Sequence, residues 1–99
     1  MQHHVYFWLK AEHQTDAARA ELEIGLSDMA GNTHVAKGGW GKPAATADRP
    51  VTDKTWDYAL YCSFETLADH NAYQIDPDHD VFSSSHKHRW EKVMVMDAE

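Results

Sequence analysis

Polar and apolar positions along the first strand-like segment alternate, with His4, Tyr6 and Trp8 on one side and Val5, Phe7 and Leu9 on the other. Both sides are apolar, so the pattern predicts a strand covered on both faces. Thr15 or Asp16 then caps a helix carrying Ala18, Leu22, Leu26 and Met29 at near-helical spacing, and Gly31-Asn32 stops it. A weaker strand is expected over Thr33 to Trp40, followed by a long loop, GWGKPAATADRPVTDKT. Loops of that length commonly carry function or touch a partner.

A third strand runs from Trp56 to Phe64, with Tyr58, Leu60, Cys62 and Phe64 on one side. Thr66 with Asp69 forms a capping-box pattern opening a short helix to Tyr73, and Asp76-Pro77 fits the cap and first residue of another. That second helix is expected to reach His88 or Arg89, and a final strand to cover Trp90 to Met96. The order is strand, helix, strand, strand, helix pair, strand. It predicts an α+β, ferredoxin-like antiparallel four-stranded sheet with its helices on one face. The other face needs cover that so short a chain lacks, and two copies packed sheet to sheet would supply it. A homodimer is the expected state, with residues 1–99 as one domain.

Composition narrows the partners. The 99 residues are 42% hydrophobic and 25% charged, ordinary for a globular protein. A net charge of -7, with nine Lys and Arg scattered along the chain, argues against nucleic acid. No apolar run approaches the ~20 residues that span a bilayer, and no signal or transit peptide is visible. The single cysteine, Cys62, fits a reducing, cytoplasmic setting.

Four stretches of the chain carry a resemblance as well. HHVYFWLK, GWGKPAATADRPV followed by DYALYCSFE, LADHNAYQIDPDH, and HKHRWEKVMVMD together resemble the stress-responsive α/β-barrel (Dabb) family of dimeric α+β barrels. The resemblance implies a polyketide-cyclase-like chemistry as one alternative, because a plant member closes a ring by aldol condensation with a tyrosine and a histidine at the helix joint. Tyr73 and His79 stand at those places, and His4 matches a histidine that shares the pocket. The resemblance also puts His4, Tyr6 and Trp8 on the helix-covered side. Asp76 replaces a histidine of that cyclase, and Tyr6 and Trp8 replace smaller aliphatic residues, so a different substrate is implied.

An aldol-type step needs a base beside a carbonyl and a donor for the enolate oxygen, tasks suited to His79 and Tyr73, with His4 orienting. As the third helical residue, His79 would feel the positive helix end, which disfavours imidazolium by ~0.3–1 kcal/mol. Asp76, Asp78 and Asp80 push the other way, by ~0.2–1 kcal/mol for each exposed pair. The structural reading gives Asp76 a capping role only and leaves His79 as a surface residue. The expected pocket is lined by Tyr6, Trp8, Leu60 and Phe82 and holds a small organic molecule, with a purely structural dimer as the other alternative. The eight histidines include no helical i, i+4 pair, and the one cysteine allows no Cys-x-x-Cys motif, so no metal or other cofactor is expected.

Overall fold

The computed structural model describes residues 1–99. Its elements are β1 (Gln2–Leu9), α1 (Asp16–Ala30), β2 (Lys37–Gly41), β3 (Tyr58–Ser63), α2 (Leu67–Gln74), α3 (Pro77–His86) and β4 (Trp90–Ala98), with a 3-10 turn over Lys87–Arg89. All pairings are antiparallel, in the order β2-β3-β1-β4. This is the ferredoxin-like arrangement, with the helices on one face of the sheet.

Local chemistry explains the boundaries. Thr15 caps α1 by accepting from the Ala18 amide at 3.2 Å, and Thr66 caps α2 through the Asp69 amide at 3.1 Å. Asp76 accepts from the Asp78 amide at 2.8 Å, with Pro77 at the first helical position of α3. The second strand starts at Lys37 rather than Thr33, because Asn32 folds the preceding residues into a turn. Its side-chain oxygen accepts from the His34 amide and its carbonyl from Val35. The third strand likewise starts at Tyr58, two residues later than the alternation suggests. The Trp56 indole instead donates to the Asp53 carbonyl at 2.8 Å.

The core lies between the sheet and the helices. Leu22, Leu26 and Met29 of α1 are buried against Val5, Phe7, Leu9, Tyr58, Leu60 and Cys62 of the sheet. Each such side chain contributes about 1.5–3 kcal/mol by leaving water. Gly25 lets α3 close on α1, since a Cβ there would stand 2.7 Å from His86 Nε2. On the opposite sheet face, the Tyr61 ring lies over Gly39, where a Cβ would meet the Tyr61 hydroxyl at 2.3 Å.

One expectation is corrected by the register. His4, Tyr6 and Trp8 do not face the helices; His3, Val5, Phe7 and Leu9 do, and all four are buried. The physical reason is that both sides of β1 are apolar, so a period of two cannot tell inside from outside. Tyr6 instead meets Trp56, ring centroids 5.3 Å apart, and the Trp8 indole donates to Thr55 Oγ1 at 2.9 Å. Lys92 lies 4.6 Å above the Trp8 ring. With Met94, Met96 and Tyr61 these residues make the uncovered sheet face.

Candidate functional site

Where α2 ends and α3 begins, the chain turns over the sheet and leaves a cavity of about 280 Å³ against β1 and β4. Its wall includes Tyr73, His79, Leu60 and Phe82, four of the residues expected from the sequence. His4, Tyr6 and Trp8 lie on the other side of the sheet, and His3 takes the place expected for His4. Gln74, Ser83, Trp90, Val93 and Val95 complete much of the rest. The walls are thus mainly apolar, with a few convergent polar groups, as small-molecule sites commonly are.

The joint itself aims the polar groups. Asp76 Oδ2 also lies 3.3 Å from His34 Nε2, tying the start of α3 to the turn before β2. Asp76 receives the His79 amide through its carbonyl at 3.0 Å, so His79 is fixed one turn into α3. There its ring stands edge-on to Tyr73, centroids 5.1 Å apart. Burial lowers the His79 pKa, with Asp80 opposing that shift, so its ring favours the neutral form that accepts a proton. Tyr73 is only 1% exposed and packs beside Cys62, and burial raises its hydroxyl pKa well above the ordinary value. It is therefore a hydrogen-bond donor at any neutral pH. The Cys62 thiol is pushed up to about 11 for the same reason, which makes it inert as a nucleophile.

A second polar group forms the cavity floor. His3 Nδ1 lies 2.5 Å from Asp97 Oδ1, an arrangement that follows from their direct pairing across β1 and β4. Burial lowers the His3 pKa, against the opposing pull of Asp97. His70 projects from α2 with its ring 5.0 Å from that of His3 and 5.4 Å from Phe64. Sequence reasoning missed His3, His70 and Asp97. His70 stands three residues before Tyr73, a spacing that puts both on one helix face, and this was the available signal. Nothing local links positions 3 and 97.

A larger groove of about 640 Å³ runs between α1 and α3, lined by Glu21, Asp28, Asp78, Ile24, Val81 and His86 among others. It gathers one histidine and mostly polar walls, so the smaller cavity is the better chemical candidate.

The family model described as the stress responsive A/B barrel domain matches residues 1–99. No curated protein matches the sequence significantly. Among solved structures, the chain is similar to a crystallised protein of Arabidopsis thaliana at 18% identity and a TM-score of 0.81, covering 99% of this chain and 92% of that one. It is similar also to a dimeric ferredoxin-like protein of unknown function from Thermobifida fusca, with 18% identity, a TM-score of 0.74, and coverage of 96% and 85%. A hydroxynitrile lyase from Passiflora edulis matches at 17% identity and a TM-score of 0.77, over 96% of this chain and 87% of that one. Identities this low establish a shared fold and nothing about chemistry.

Proposed function

Because this chain belongs to the stress responsive A/B barrel (Dabb) family, we propose that it binds a small organic molecule in the cavity at the α2–α3 joint and works as a homodimer. The observation carrying this reading is the convergence of Tyr73 and His79 on one apolar-walled cavity, rather than their dispersal over the surface. About 280 Å³ suits a compact molecule of few rings. Dimerisation is supported by the uncovered aromatic and Met face of the sheet and by structural neighbours described as dimeric. No helix is long and apolar enough to cross a membrane. The single buried thiol suits a cytoplasmic setting.

A second reading has its own support. His79, held neutral by burial, and Tyr73, held protonated, are a base and a donor side by side. That pair suits a lyase or cyclase acting on a small carbonyl compound, His79 taking the proton and Tyr73 holding the oxyanion. A hydroxynitrile lyase stands among the structural neighbours, and this supports the reading.

The test is a panel of small aldehydes, ketones and aromatic acids, screened by thermal shift and by native mass spectrometry. One or more should stabilise the wild type and add to its mass, and the gain should fall by at least ~10-fold in apparent affinity in Tyr73→Phe, His79→Ala, about one lost hydrogen-bonded contact or more. Binding that survives in the double variant would place the ligand elsewhere and overturn the assignment.

A further inference from the structure

We propose that His3, His70 and Asp97 bind one divalent ion of the zinc class on the floor of this cavity. The three come from β1, α2 and β4, and one ligand atom from each lies within 4.8 Å of the other two. His3 and Asp97 leave the sheet on the same face because they are direct partners in the register. His70 reaches down to them from above.

Ligand atoms of a tetrahedral zinc, with bonds of ~2.0–2.2 Å, stand about 3.4 Å apart. The set thus closes on an ion by shifts of about 1 Å, within reach of the broad imidazole and carboxylate torsions. The His3–Asp97 contact would lengthen slightly and the His70 gap would shorten.

His70 supplies an independent observation. Its Nε2 is buried and has no hydrogen-bond partner in the protein. An orphaned buried polar atom costs about 1–3 kcal/mol, and native proteins rarely leave one without a role. An imidazole nitrogen facing a second imidazole and a carboxylate has the chemistry of a metal ligand.

The donor set selects the ion. Two imidazoles and one carboxylate suit zinc, cobalt or ferrous iron, whereas magnesium and calcium prefer oxygen alone. Three protein ligands also leave a coordination position. It would open into the cavity whose wall carries Tyr73 and His79, where an oxygen of a bound molecule can enter. This inference goes beyond the organic-ligand reading and does not depend on it, since metal affinity is read with no organic compound present.

The experiment uses untagged protein stripped with chelator and titrated calorimetrically with zinc, then with cobalt to read its visible absorption. One ion per chain is expected, with the strong cobalt bands of a four-coordinate site. Loss of an outer-shell partner alone costs about 10–100-fold in affinity, so His70→Ala and Asp97→Asn should each cost about 100-fold or more. His70→Phe keeps the helix packing filled without the nitrogen and reads the same loss if the alanine variant unfolds. His13 and His88, whose rings stand 5.2 Å apart at the surface, are the competing site. The double variant His13→Ala, His88→Ala should bind as the wild type does. No zinc binding by the wild type, unchanged affinity in the folded His70 and Asp97 variants, or loss in the His13, His88 variant would each overturn the assignment.

Discussion

His3 and His4 are neighbours in the chain and end in different worlds. His3 is buried under the helices, 2.5 Å from Asp97, whereas His4 is half-buried on a sheet face that no element of the chain covers. The two faces of the sheet divide the same way. Beneath the helices sit Val5, Phe7, Leu9, Tyr58, Leu60 and Cys62, all buried and closely packed. On the far face Tyr6, Trp8, Met94, Met96 and Tyr61 are equally apolar but half-buried or exposed. Monomers rarely leave such a patch uncovered. The difference teaches that hydrophobic content alone does not mark the inside of a subunit. One face is apolar to hold the chain together, and the other is the face that the proposed dimer would cover.

The largest expected effect breaks this division on the helix side. Phe7 is 2% exposed and meets Phe82 and Trp90, ring centroids 6.2 and 4.9 Å away. Phe7→Ala removes those contacts and leaves a cavity, which costs about 3–5 kcal/mol, a large share of a small domain's stability. Urea unfolding should register it as a lower midpoint. A loss under 1 kcal/mol would mean that the helix-covered face is not the core.

The next effect strikes the far face. Tyr6 lies centrally there, opposite Ala59 on β3 and Met94 on β4. Tyr6→Glu should leave the subunit folded and weaken the dimer by at least ~30-fold, about 2 kcal/mol, as expected for a buried aromatic at an interface. Sedimentation velocity at graded concentrations reads this directly. A wild type that stays monomeric at micromolar concentration would end the two-face account.

Much of the fold was legible because its signals are local. The caps at Thr15, Thr66 and Asp76, the proline at the start of α3 and the turn at Gly31-Asn32 are each set by two or three adjacent residues. The alternation of Tyr58, Leu60 and Cys62 likewise put them on one side of β3, the side that the structure buries. The assignment of β1's faces failed for a physical reason. When both sides of a strand are apolar, only its partners in space decide which is inside, and those are distant in sequence. The same limit hid the cavity floor. His3 and Asp97 are joined by a register 94 positions apart in the chain, and no spacing rule reaches across it.

The smallest effect sharpens the comparison through pH. Tyr58 lies on the helix side, fully buried, and its hydroxyl donates to Glu23 Oε2 at 2.5 Å. Arg19 and Lys42 stand 5.6 and 5.9 Å from the ring centre. Burial first, then the bond to Glu23, push its pKa from 10.0 up to about 12, with Arg19 opposing. In the unfolded chain the hydroxyl loses its proton near 10, so the raised folded value means that the native state holds that proton longer. Its stability contribution is complete below pH 10 and disappears as pH rises from about 10 to about 12. Two pKa units set the ceiling on that loss at about 2.7 kcal/mol. Tyr73 and Cys62, shifted upward by burial on the same side, add to the fall. Urea midpoints followed from pH 8 upward should therefore decline ahead of any general alkaline unfolding, and Tyr58→Phe should make that decline shallower. An unchanged slope in the variant would mean that the Tyr58 hydroxyl reaches water, and with it that the helix-covered face is less closed than its packing indicates.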